Sequence, residues 1–167
     1  FCGGSNGRDW DTIKQVASLL PHISFVIVGP KENSLGNNLS ANITYLYNIS
    51  YEKFHKLIRG CKLLALPLNT EAPAGLIVLF TAGLMSKAVI TTDNYTMREY
   101  IASGEDGILV KMGDINAFAS EAKALFPDNV RCLEFGQKLC KKVEELGSPG
   151  VFIDTLISIT RQVTQTR

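Results

Sequence analysis

"EAPAGLIVLFTAGLMSKAVITTD", residues 71–93, is a loop, a helix-length apolar segment and a strand in direct succession. Pro73 and Gly75 punctuate the loop, and the nine residues from Leu76 to Leu84 run at helical length. Residues 87–92, "KAVITT", form a short run rich in branched side chains, as expected of a strand covered on both faces. The same pattern recurs on either side. "ISFVIVG" (23–29), "KLLALPL" (62–68) and "GILV" (107–110) are further short apolar runs, while residues 11–20, 51–60 and 115–125 have helical length and, in several cases, apolar residues three or four apart. Parallel neighbours need crossover connections, so this alternation predicts a Rossmann-like open parallel sheet with helices on both faces. Ligands of such sheets bind at the carboxyl ends of the strands, where loops lead into the next helix. Beyond residue 126 the chain turns to charged, helix-favouring sequence, read as two helices broken at 147–150, with Ser148 as a cap and Pro149 in a first turn.

The 167 residues suit one domain with a sizeable core. A formal net charge of +1 sets up no strong field toward nucleic acid or anionic lipid. Cys2, Cys61, Cys132 and Cys140 form no CxxC pair and have no histidine cluster beside them, so neither a zinc site nor a disulfide framework is expected. Reduced thiols in a cytoplasmic protein are the reading that remains. No apolar run approaches the roughly 20 residues of a membrane helix. The opening at Phe1, without the charged and apolar regions of a signal peptide, reads as a piece of a longer protein. Asn38, Asn42, Asn48 and Asn94 each head an N-x-Ser/Thr triplet, which would mark surface loops of a secreted protein. In a chain without a secretory signal these triplets are read as the product of an Asn/Ser/Thr-rich stretch.

Two loops have the composition for chemistry. "FCGGSNGRDWDT" (1–12) runs from small residues through Arg8 into a helix, and glycines with helix-start amides suit an anion such as phosphate. It is neither G-x-G-x-x-G nor a P-loop. In the opening stretch, the amides of Gly75 and Leu76 would be unpaired first-turn donors, and Glu71 just upstream has a carboxylate suited to sugar hydroxyls. His55 lies within "YEKFHKLIRG", where a helix-surface position competes with a place on a cleft, and His22 is isolated. Trp10 at a helix start suits a packing staple, and Asp93, Arg98 and Glu99 suit capping and surface pairing as well as a cleft.

Taken in order, "GGSNGRDWDTI", "ISFVIVG", "ITYLYNISYEKFHKLIRGCKLLALPL", the opening stretch and "MREYIASGEDGILVKMGDINAFASEAKAL" resemble the C-terminal, nucleotide-sugar-binding domain of GT-B glycosyltransferases of the group 1 type, the retaining family 4. The family's hallmark is a glutamate, a glycine a few residues on, a second glutamate and then Ala-x-Ala-x-Gly-Lys-Pro-Val-Ile; "TAGLMSKAVITTD" falls on its second half. The resemblance implies that Gly4 and Ser5 lie in a glycine loop beside the donor diphosphate, with Arg8, in place of the usual lysine, as the cation opposite it. It places Glu71 toward the transferred sugar, Gly75 and Leu76 at the distal phosphate, and Tyr47 and Asn48, at the end of the "ITYLY" strand, toward the base. Thr81 stands where the family has its second glutamate, the holder of the ribose hydroxyls, and Ser86 and Ala88 replace the Gly and Pro of the Gly-Lys-Pro turn. The interval from Glu71 to Thr81 is also longer than usual.

What the resemblance implies as a whole is a metal-independent glycosyltransferase that moves a sugar from a UDP- or GDP-sugar to a polysaccharide or lipid-linked acceptor. The nucleotide sugar would be substrate, with no cofactor. The present residues would be its donor half, with the acceptor domain N-terminal to them and peripheral association of the whole protein at the inner membrane face. The alternative is a degenerate module that keeps the fold for binding or assembly.

Overall fold

The computed structural model describes residues 1–32, 35, 36, 38–147 and 150. Six strands and six helices follow in the order β1 (Cys2–Gly3), α1 (Trp10–Leu19), β2 (Phe25–Gly29), β3 (Ile43–Tyr47), α2 (Tyr51–Gly60), β4 (Leu63–Leu66), α3 (Leu76–Leu84), β5 (Ala88–Asp93), α4 (Tyr95–Tyr100), β6 (Ile108–Lys111), α5 (Ile115–Leu125) and α6 (Asn129–Leu146). The proposed break at Ser148 and Pro149 and the helix after it lie outside the described residues.

All strand pairs are parallel, in two three-stranded sheets ordered β1-β2-β3 and β4-β5-β6. Phe1 joins them: its amino group donates to Leu63 O at 2.8 Å, and its carbonyl accepts from Ala65 N at 2.8 Å. β1 therefore lies beside β4, and the strand order reads 3-2-1-4-5-6 across the molecule. The direction of winding reverses between β1 and β4, which is where open α/β sheets form their ligand crevice.

Both faces are covered, and the alternation along each strand shows it. Leu63, Ala65, Ala88 and Ile90 point into a core with Ile13 and Val16 of α1 and Phe118 and Leu125 of α5. Leu64, Leu66 and Val89 point into a second core with Ile58 of α2, Val78 and Leu79 of α3 and Met97 of α4. Helix α6 serves both, giving Cys132 and Phe135 to the first and Leu139 and Val143 to the second. Each fully buried aliphatic side chain contributes about 1.5–3 kcal/mol, so the two-sided cover is the main source of stability. Trp10 packs against the first core, as expected of a residue at a helix start.

Polar side chains set the loops. Asp9, Ser50, Asn94, Asp114 and Asp128 cap α1, α2, α4, α5 and α6, each accepting from the amide three residues on. Asn42 donates its side-chain amide to the carbonyls of Ala17, Leu20 and Ile23 at 2.8–3.0 Å, tying the end of α1 to the start of β3. Asn94 is buried and donates to Thr70 O at 2.8 Å. Both side-chain nitrogens are thus committed to the fold, which supports treating the triplets at Asn42 and Asn94 as composition. Among the described residues no helix is long and apolar enough to cross a membrane, and no three His, Cys, Asp or Glu side chains gather as a metal cage.

Candidate functional site

The loop after β1 and the loop after β4 are laced together at the carboxyl ends of their strands. Asp9 N donates to Pro67 O and Asn69 N to Gly7 O, both at 3.0 Å, and Arg8 forms an antiparallel bridge with Leu68. β5 holds the second loop from beneath: Thr92 Oγ1 accepts from Leu68 N at 2.7 Å, and Asn94 secures Thr70. The two buried threonines of β5 thus have polar work: Thr92 holds Leu68 at the start of the loop, and Thr91 donates to Leu66 O at the end of β4.

Between these loops and α2 lies a cavity of about 440 Å³, lined by Gly4, Ser5 and Arg8, by Tyr51 and His55, and by the segment from Pro73 to Val78 with Thr81. Arg8 is 5% exposed. Its Nε donates to Gly3 O at 2.7 Å and its Nη1 to Asn6 O at 2.8 Å, which leaves three of its five N–H groups without a protein acceptor among the described residues. It forms no ion pair among those residues. Burial lowers its pKa from the usual arginine value.

Two glycines make room for this guanidinium. A Cβ on Gly4 would lie 2.3 Å from Arg8 Nη2, and one on Gly75 would lie 3.4 Å from Arg8 Nη1. Gly75 also has φ +81, a left-handed conformation that strains any other residue. As the N-cap of α3 it brings no side chain, so the first-turn amides of this nine-residue helix are left open toward the cavity. Among the described residues no carboxylate lines the space. A buried cation without a counter-ion, next to uncapped helix amides, makes a site that gains by receiving an anion.

The structure thus brings Gly4, Ser5, Arg8, Gly75, Leu76 and Thr81 onto one cavity. Glu71 is not among the lining residues; it is exposed, and its carboxylate accepts from Tyr95 N at 3.2 Å, at the start of α4. Tyr47 and Asn48 lie at the same end of the sheet, at the tip of β3, but outside the lining, and the Tyr47 ring stacks on Tyr45. Thr81 donates its hydroxyl proton to Ile77 O at 2.7 Å, within its own helix. His55 and Phe54 do line the cavity, and the ring of His55 lies 4.0 Å from that of Tyr51. Of the two positions open to His55 in the sequence, the helix surface and the cleft, it takes the cleft; Tyr51 and His55, four apart on α2, carry the signal for a shared face. Arg98 pairs with Asp93 at 2.6 Å, the surface pairing expected, and holds the Asp93 carboxyl below its ordinary range. A second cavity, about 400 Å³, opens at the other end of the sheet among Phe1, Phe25, Leu63 and Phe126. Its wall is mainly apolar and it sits at the amino ends of the strands, away from the crevice.

Comparison with known proteins follows the same lines. No curated protein sequence matches the chain. Solved structures of the same fold include a mutant of S. aureus TarM in complex with fondaparinux, alpha-GlcNAc-glycerol and UDP (18% identity, TM-score 0.78, 94% of this chain and 34% of that one). Sucrose-phosphate synthase from Thermosynechococcus elongatus matches at 18% identity and TM-score 0.77, over 99% of this chain and 46% of that one. HepE of Anabaena, in complex with UDP and glucose, matches at 16% identity and TM-score 0.72, over 99% and 47%. The chain spans between a third and a half of the length of these proteins, and at such identities the likeness shows the fold, a Rossmann-like domain of the GT-B kind. Residues 9–128, most of the chain, with the cavity loop through Pro73 and Gly75 but not Gly4, Ser5 or Arg8, match the family model of glycosyl transferases group 1, and the chain belongs to that family.

Proposed function

We propose that this chain is the C-terminal, donor-binding half of a two-domain retaining glycosyltransferase of family 4, and that its cavity takes the diphosphate of a UDP- or GDP-sugar. The observation that carries the reading is the Arg8 guanidinium, buried between Gly4 and Gly75 with no carboxylate partner among the described residues. UDP bound by HepE and by TarM supports the choice of a nucleoside diphosphate.

Transfer breaks the bond between carbon one of the sugar and the diphosphate, and negative charge builds on the departing phosphate. A fixed guanidinium and amides already turned toward that charge lower the barrier, commonly by a few kcal/mol for each such donor. Gly4 and Ser5 border the phosphates, while Gly75 and Leu76 give amides to the distal one. In this reading Arg8 takes the part of a counter-cation, so the transfer is metal-independent. Glu71 is assigned to the transferred sugar, which requires its carboxylate to leave the Tyr95 amide, and Tyr47 and Asn48 are assigned to the base. A domain N-terminal to the present residues supplies the acceptor site, for a polysaccharide or lipid-linked acceptor at the inner face of the membrane, with the protein in the cytoplasm.

Two observations favour a second reading, a non-catalytic binding or assembly module: Glu71 is engaged at α4, and Thr81 has spent its proton on Ile77. Donor turnover by the full-length protein, supplied with cell extract as acceptor, would eliminate it. The first reading is tested by calorimetric titration with UDP, GDP, ADP and their sugars. Binding of one diphosphate series is expected, and silence from the folded protein across the panel overturns the proposal.

A further inference from the structure

We infer that His55 reads the ribose of the nucleotide, from the cavity wall that faces Thr81; this rests on the donor-site reading above. The cavity has two parts. Near the strand tips, Gly4, Arg8 and the start of α3 form the cradle for an anion. Thr81 lies six residues beyond Gly75, about 9 Å further along the helix axis at about 1.5 Å per residue. That part of the space holds whatever is attached to the phosphates rather than the phosphates themselves.

Its walls are α3 and, opposite, the α2 residues Tyr51, Phe54 and His55. Of the polar groups there, Thr81 Oγ1 has given its proton to Ile77 O and can only accept. Phe54 has no polar atom. His55 is half-buried, and neither of its ring nitrogens has a hydrogen-bond partner among the described residues. The imidazole is steadied by the Tyr51 ring at 4.0 Å, whose plane is tilted by 40° from its own. An imidazole with one donor and one acceptor nitrogen is matched to a vicinal diol, in which each hydroxyl can give or take a hydrogen bond. Tyr51, 75% exposed at the mouth, is the ring support rather than the reader.

The test compares ribonucleoside diphosphates (UDP, GDP, ADP) with their 2′-deoxy and 3′-deoxy counterparts and with inorganic pyrophosphate, on the protein and on His55→Phe, which keeps an aromatic ring against Tyr51. In the unmodified protein, loss of the contacted hydroxyl is expected to weaken binding about threefold to tenfold, the value of one hydrogen bond. In His55→Phe that ratio falls to about one, pyrophosphate affinity is unchanged, and His55→Asn restores part of the ratio. An equal deoxy penalty in both proteins, or a matching loss of pyrophosphate affinity, overturns the assignment while leaving the donor site standing. Failure of every nucleotide to bind removes the donor reading and this inference together.

Discussion

Replacing Arg8 with methionine separates a binding arginine from a structural one. The side chain is 5% exposed and holds two carbonyls, Gly3 O at 2.7 Å and Asn6 O at 2.8 Å. Leaving buried carbonyls without donors costs about 1–3 kcal/mol each. Against that, the substitution removes a buried charge that has no carboxylate partner, and relief of such desolvation is worth several kcal/mol. The two nearly cancel, so the unfolding free energy is expected to change by less than about 2 kcal/mol. Nucleotide binding has no such offset. One charge-assisted contact is worth about 1.5–3 kcal/mol, so the Kd for the preferred nucleoside diphosphate should rise about 10- to 150-fold. Urea unfolding and calorimetric titration on the same preparation give both numbers. Large destabilisation with unchanged affinity of the folded fraction would show Arg8 to be a loop tie and refute the reasoning.

Gly75→Ala forces an L side chain into φ +81 and sets its Cβ 3.4 Å from Arg8 Nη1; urea unfolding should show a loss of about 1–2 kcal/mol and titration a weaker nucleoside diphosphate. Asn42→Ala frees the carbonyls of Ala17, Leu20 and Ile23 and should cost about 1–3 kcal/mol by the same measurement, with nucleotide affinity of the folded protein unchanged. Burial pushes the Cys2 thiol up to about 11 from 9.0, so the folded protein keeps a proton that the unfolded chain gives up. The resulting stability is fully present below pH 9.0 and is lost as pH rises from 9.0 toward 11. A Cys2→Ala variant should therefore show a flatter decline of unfolding free energy over that window. Iodoacetamide mapping at pH 8 should find Cys2 unmodified until the protein unfolds.

What the residues revealed, and what they concealed, follows from where each interaction closes. β4 and β5 are covered on both faces, so their branched runs are continuous and stand out in one dimension. β1 is two residues long and becomes a strand only through partners at Ile27 and Val28 and the links from Phe1 to β4, none of which is local. β3 is half-exposed, so "ITYLY" stood out through resemblance more than through hydrophobic pattern. Helix α4, six residues with an exposed Tyr95, is too short for periodicity to register, and so the amide that captures Glu71 was invisible from the loop 24 residues before it. Gly75 was legible because a small residue before an apolar helix has few other uses. That His55 and Thr81 line one cavity depends on α2 packing against α3, a tertiary fact.

The most direct measurement of the central claim is a crystal structure of the protein with its preferred nucleoside diphosphate. The account predicts phosphate oxygens within hydrogen-bond distance of Arg8 and of the first-turn amides of α3, beside Gly4. Phosphates seated elsewhere, with Arg8 still turned only toward Gly3 and Asn6, would contradict it.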